Sequence, residues 1–405
     1  MRPSGAYWSA EDASSGTRHA VRNHAALAVL LSCALIPRLA TLRRAPAGEL
    51  PPHGEADERV FVTLVTQVRA HPLSYTLQGT PLLARLDAHN YDKPIFFHAP
   101  AFVYLGAALT GLGLPLPLLP VLLELGAIAC IHALTSRLFG PREALWAAGL
   151  LATCTITWFT AQHVWIDAML VFSVSLSLLL ADRAGRKATP AAYALAGGAF
   201  ALAFLTKVTA VLVAPAMVAL ALHSDRQALA PRKLGAALAA SVPPCLAWVA
   251  VLRALNGQWL PSAFPTAEMM QRYPFVAMVV ARPWYFYLSS LILFAPVFAI
   301  ALLRLRARDR RDLGPALCAL AFFAAMTVFG LMHGGYQTRY VAPAYPALAV
   351  LAGAAMAQLS QPGLIGAAAL LGYGLLGAAE YAIFLTPRYA DLTTPIAAQF
   401  LHLFR

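Results

Sequence analysis

Charge is what this sequence has least of. Asp, Glu, Lys and Arg make up 12% of its 405 residues against 60% hydrophobic, and no water-soluble globule needs so much apolar material to fill its core. Acid is scarcer still, with 18 Asp and Glu against 30 Lys and Arg. Such a basic excess in a soluble chain would suggest nucleic acid. Here the cations sit in short runs between apolar stretches, which is a topology signal, and no nucleic-acid partner is expected. The five cysteines (Cys33, Cys130, Cys154, Cys245, Cys318) have no metal or redox spacing, and all are expected to be small buried packing residues. His98 and His163 are likewise isolated and read as structural or hydrogen-bonding groups. The first apolar stretch ends in Arg43 and Arg44 rather than at a small-residue cleavage site, so an uncleaved first span is expected. Internal repeats and paired broken helices are missing too, which weighs against a secondary transporter.

What is present is a series of long apolar segments. They lie near 24–42, 116–138, 142–161, 165–182, 188–206, 208–222, 234–254, 284–303, 315–333, 341–359 and 362–384. At about 20 residues per crossing they give about eleven transmembrane helices. Lipid offers no partner for backbone N–H and C=O, so each must be helical. The predicted fold is all-α: one polytopic membrane helical bundle over residues 1–405, with a cytoplasmic tail at 1–23 and a first outer loop at 43–115.

Loop charge orients the bundle. Arg137 with Arg142; Arg183, Arg186 and Lys187; Arg226, Arg232 and Lys233; and Arg304, Arg306, Arg308, Arg310 and Arg311 form four short basic connections, all expected in the cytoplasm. All four fall on one side only if residues 94–113 do not cross. That segment carries Pro94, His98, Pro100, Gly111, Gly113 and Pro115, and it is predicted to be re-entrant or interfacial. The outer face then receives 43–115, 161–166, 255–283 and 334–340, where polar chemistry should collect.

In the first outer loop, Asp57, Glu58 and Arg59 precede apolar positions Val60, Leu64, Val65 and Val68 at helical spacing. This predicts a helix on the membrane surface whose acids either complement its dipole or do chemistry. Further on, Asp92-Lys93-Pro94 opens an aromatic, proline-broken stretch. An acid and a base side by side would be held there at headgroup depth.

These elements resemble the GT-C glycosyltransferases related to protein O-mannosyltransferases and the lipid A aminoarabinose transferase. Further likenesses follow in order: Trp165-Ile166-Asp167-Ala168-Met169-Leu170, Phe204-Leu205-Thr206-Lys207, Pro283-Trp284-Tyr285, and Arg339-Tyr340 with Pro343. The chain departs from the pattern at Ile95, where a second proline is usual, and at Leu119-Pro120-Val121, where an Arg is common. The resemblance implies a membrane glycosyltransferase moving a sugar from a polyprenyl-phosphate donor to a lipid, glycan or protein acceptor on the non-cytoplasmic face. A bacterial inner (plasma) membrane, with the site facing the periplasm or exterior, is the expected setting. The alternative is a transporter or flippase of lipid-linked saccharide.

Such a reaction needs cations for the leaving phosphate and a carboxylate for the acceptor's proton. Asp57 is the expected base and Asp92 the second catalytic candidate, either binding the sugar or holding a divalent metal ion, the one cofactor considered. Substrate contacts are expected from Glu58, Lys93, Asp167, Lys207, Tyr336, Arg339 and Tyr340. Several have a plainer reading: Lys207 snorkels from a helix end, Asp167 caps the following helix, and Tyr336 and Tyr340 join Trp284, Tyr285 and Tyr287 in an interfacial aromatic belt. Glu124 lies mid-span, where a carboxylate is costly and needs either its neutral form or an interhelical partner.

Overall fold

The computed structural model describes residues 10–40, 56–83, 91–259, 284–307, 309–333 and 338–380. Among them every regular element is a helix and no strand occurs. The main helices are α1 (Ala10–Ala40), α2 (Ala56–Ala70), α3 (Ala101–Gly111), α4 (Leu118–Leu138), α5 (Pro141–Ala152), α6 (Thr155–Ala161), α7 (Ile166–Lys187), α8 (Pro190–Phe204), α9 (Ala214–Ser224), α10 (Pro231–Asn256), α11 (Phe286–Phe294), α12 (Leu302–Ala307), α13 (Leu313–His333), α14 (Tyr345–Met356) and α15 (Gln361–Glu380). Among the described residues four helices are long and apolar enough to cross a membrane alone, or up to six spans if each bent pair is one; shorter apolar helices accompany them.

The bundle packs on small residues, as helices must where lipid gives no hydrophobic drive. At Gly353 in α14, an added Cβ would stand 2.6 Å from the Ala147 backbone nitrogen of α5. Any larger residue there would push the two helices apart. Cys130, Cys154 and Cys318 are buried as expected, but Cys33 is exposed on α1 and Cys245 only half-buried on α10. These two correct the reading of all five as packing residues: an apolar stretch in a membrane chain has an outward face as well as an inward one.

The predicted span 142–161 is broken. α5 and α6 meet at 60° across Thr153-Cys154, where neither proline nor glycine stands. The break is stabilised because the last carbonyls of α5 find side-chain donors. Thr153 Oγ1 donates to Gly149 O at 3.0 Å, Thr157 Oγ1 to Leu151 O at 3.2 Å, and Arg38 to Ala152 O at 2.8 Å.

Arg38 also settles the place of Glu124. The guanidinium grips that carboxylate with two bonds, Nε–Oε2 at 2.7 Å and Nη2–Oε1 at 2.9 Å, with both side chains fully buried. A third donor satisfies Ala34 O, and the Arg38 Cζ lies 4.9 Å from the Trp158 ring centre. Glu124 thus has a two-bond partner that joins α1 to α4, the interhelical contact a mid-span carboxylate needs.

The four basic connections converge on the C-terminal end of α7. Arg137 lies 3.8 Å and Arg186 3.0 Å from Asp182, and Arg186 donates to Arg137 O. Arg311 donates to Leu138 O at 3.1 Å and pairs with Asp309, as does Arg304. Close by, Gly185 of α7 abuts Ala221 of α9, whose following loop pairs Asp225 with Lys233 at 2.6 Å. α7 has 22 residues, about 33 Å at 1.5 Å each. Its N-terminus therefore lies a membrane's thickness from this charged end.

Candidate active site

At that N-terminus an alternating line of charge assembles from four distant parts of the chain. Asp57, in the first turn of α2, meets Arg339 at 2.7 Å (Oδ2 to Nη2). Arg339 lies 3.9 Å from Asp167, in the first turn of α7, and Asp167 Oδ1 accepts from Lys207 Nζ at 3.0 Å. Arg339 and Asp167 are nearly buried, while Asp57 keeps 38% of its side chain exposed.

Local structure explains why these groups meet. α2 buries the predicted apolar face, Val60, Leu64, Val65 and Val68, together with Phe61, against α3 and the 91–100 segment, which aims its N-terminal acids at the cluster. Gly106 of α3 permits this approach, since a Cβ there would lie 2.9 Å from Val65 and from Leu116. α3 has 11 residues, about 16 Å of helix, too short to cross the hydrocarbon. Lys207 is an extended residue (φ −157°) between α8 and the 3-10 turn Val208–Val213, so the chain opens and turns its ammonium inward. Asp167 forms ion pairs instead of serving only as a cap. The residue at the cap position is Trp165, which makes no side-chain cap bond.

Trp165 is a component the sequence reading missed. The Arg339 Cζ lies 4.2 Å from its ring centre, and the His163 ring stacks on it at 4.2 Å and 12°. The indole thus contacts both the imidazole and the guanidinium, with cation–π attraction to the latter. Glu58 fixes this turn: Oε1 accepts from Val164 N–H at 3.0 Å, and Oε2 lies 3.5 Å from His163 Nδ1. Glu58, expected as a substrate contact, thus also holds the platform beneath Arg339. Lys207 Nζ lies 4.9 Å from the Tyr340 ring centre, so Tyr340 faces the same line of charge.

The other predicted residues are placed differently. Asp92 is exposed and accepts from Gln78 Nε2 at 2.9 Å; it is not part of the Asp57–Arg339–Asp167–Lys207 line. Lys93 is half-buried, its carbonyl accepting from Thr76 Oγ1 at 2.6 Å. Tyr336 lies outside the described residues. Among the described residues no three His, Cys, Asp or Glu side chains gather as a metal site, which leaves Asp92 a lone candidate ligand.

His98 borders the line. Burial pushes its imidazole down to about 4, with Lys207 and Arg339 acting in the same direction and Asp57 and Asp167 against it. The folded value lies below the ordinary 6.5, so between the two the unfolded chain binds more protons and stability rises with pH. The His98 contribution, about 3 kcal/mol, should be fully present above pH 6.5 and fade as pH falls toward 4. His98→Gln should flatten that part of an unfolding-versus-pH curve. An unchanged slope would mean that His98 titrates normally.

Known proteins share parts of this sequence and its fold. A profile of the dolichyl-phosphate-mannose-protein mannosyltransferase family matches residues 92–252. The chain is 28% identical over 262 residues to the undecaprenyl phosphate-alpha-4-amino-4-deoxy-L-arabinose arabinosyl transferase of Pseudomonas aeruginosa, covering 62% of this chain and 47% of the relative. It thus spans about half the length of that relative. ArnT from Cupriavidus metallidurans bound to undecaprenyl phosphate superposes with a TM-score of 0.63 over 92% of this chain and 69% of that one, at 21% identity. Its apo form gives 0.61 over 95% and 67%, at 20% identity. The chain has the GT-C fold. Within this GT-C bundle the mannosyltransferase match takes in Asp92, Lys93, Asp167 and Lys207. Asp57 and Arg339 lie outside it; the structure brings Arg339 against Asp167, and Asp57 joins the line through Arg339.

Proposed function

We propose that this GT-C protein transfers a sugar from a polyprenyl-phosphate donor to a lipid, glycan or protein acceptor, with Asp57 as the base. The observation that carries this is the line Asp57–Arg339–Asp167–Lys207. Two cations alternate with two carboxylates at the end of α7 remote from the basic loops. Arg339 and Lys207 take the charge that develops on the departing carrier phosphate, and Lys93 adds a third cation from the first loop. Arg339 donates to Asp57 Oδ2 at 2.7 Å. Donor phosphate competes for that guanidinium, and Asp57 then accepts the acceptor's proton as the nucleophile attacks the anomeric carbon and the sugar–phosphate C–O bond breaks. A single displacement inverts that carbon. Asp92 remains the second carboxylate, available to sugar hydroxyls or a divalent cation.

The same reading assigns about eleven crossings, the basic end to the cytoplasm, and the charge line to the periplasm or exterior of a bacterial inner membrane. The test is direct. Purified protein given undecaprenyl-phosphate sugars and a lipid acceptor should release undecaprenyl phosphate in step with glycosylated acceptor. Release of neither product across a panel of such donors would defeat the proposal. For orientation, a single cysteine replacing the exposed Leu73 should react with an impermeant thiol reagent added outside spheroplasts, in a background without the native cysteines. One replacing Arg186 should react only after permeabilisation; equal labelling of both from outside would refute the assigned sides.

A further inference from the structure

We infer that Asn256, the last residue of α10, is a positioning residue for Lys93, an inference that rests on the donor site proposed above. Asn256 is separated by 161 residues from Ile95, yet it pairs with both backbone groups of that residue. The Ile95 N–H donates to Asn256 Oδ1 at 3.2 Å, and Asn256 Nδ2 donates to Ile95 O at 2.8 Å. This is the two-bond exchange of a strand neighbour, supplied by one side-chain amide.

The position of the clamp matters because of what precedes it. Pro94 has no N–H and a locked φ, and it restricts Lys93 to extended backbone. Ile95 is therefore the first residue after Lys93 that can be held by both its N–H and its C=O, and only one rigid residue separates the two. On the other side, Thr76 Oγ1 donates to Lys93 O at 2.6 Å, Lys93 N–H donates to Tyr91 O at 3.0 Å, and Phe96 N–H donates to Tyr75 O at 2.7 Å. Those bonds come from the first loop itself. Asn256 adds the tie to a different helix and sets where Lys93 stands relative to the bundle. A helix-terminal Asn is otherwise replaceable: Gly257, at φ +71°, already ends α10 with its N–H on Arg253 O.

The test uses the full chain in lipid nanodiscs, with undecaprenyl phosphate as the probe. Asn256→Ala should weaken binding about tenfold, the loss of one to two net hydrogen bonds. Asn256→Gln, which keeps donor and acceptor on a longer arm, should recover to within about threefold of wild type. Lys93→Ala should weaken binding, and Lys93→Ala with Asn256→Ala should be no worse than Lys93→Ala alone, because a residue acting through Lys93 has nothing left to position. Asn256→Ser serves in place of the alanine variant if that variant does not fold. Wild-type affinity in Asn256→Ala or Asn256→Ser, or fully additive losses in the double variant, would overturn the inference while leaving the donor site standing. Wild-type affinity in Lys93→Ala would instead remove Lys93 from the donor-site reading.

Discussion

Asp57→Asn is expected to lower kcat about a thousandfold while undecaprenyl phosphate binds as tightly as before or more tightly. The magnitude is that of a lost general base. The separation of the two effects follows from the ion pair. Asn is nearly isosteric with Asp and cannot take a proton, so the chemical step loses its acceptor. It also carries no charge, so Arg339, held by Asp57 at 2.7 Å in the wild type, meets incoming phosphate without that competitor. A merely structural Asp57 would move stability, affinity and turnover together. Unchanged turnover, measured as carrier release with a competent acceptor, would transfer the base role to another group, Asp92 first.

Glu124→Ala is expected to cost about 3–5 kcal/mol of stability, because it leaves the Arg38 guanidinium charged and buried without its partner. Thermal unfolding of the purified protein would measure this. The reciprocal control is Arg38→Met with Glu124→Leu, which removes both charges and fills similar volume; such replacements are often neutral or stabilising, so most of the loss should be recovered. The double variant tests a second point. Arg38 also donates to Ala152 O at the α5–α6 break and lies against Trp158 of α6, and the turn after α6 carries His163 and Trp165. If that break positions the platform under Arg339, the double variant should regain stability yet stay slow in turnover. Full recovery of both would confine the pair to holding α1 in the bundle.

The parts legible in the sequence were those set by local pattern. The spacing of Val60, Leu64, Val65 and Val68 specified the buried face of α2. The four basic connections do gather at one end of α7, because lysines and arginines in short loops have few places to go. Asp57, Asp167, Lys207 and Arg339 were each selected from sequence, and the structure brings them into one line.

What stayed hidden depended on contacts between residues far apart. Arg38 lies inside the first apolar stretch, and only the bundle puts Glu124, 86 residues away, within its fork. The break at Thr153-Cys154 has no proline or glycine to announce it; the carbonyls it frees are met by Thr153, Thr157 and Arg38, whose roles exist only once the helices have packed. Trp165 carried weight in the sequence only as part of a motif. Its contacts with His163 and Arg339 depend on a turn held by Glu58 from another part of the chain. Asp92 stands beside Lys93 in sequence, and its surroundings too became visible only in the fold: it is exposed, with Gln78 as its hydrogen-bond donor.

The central claim is that the charge line is where the carrier phosphate is held, and a structure of this chain with undecaprenyl phosphate bound tests it most directly. The phosphate should lie within hydrogen-bonding distance of Arg339 or Lys207, with Arg339 drawn away from Asp57 Oδ2. Phosphate bound elsewhere, with the 2.7 Å Arg339–Asp57 contact intact, would contradict the account.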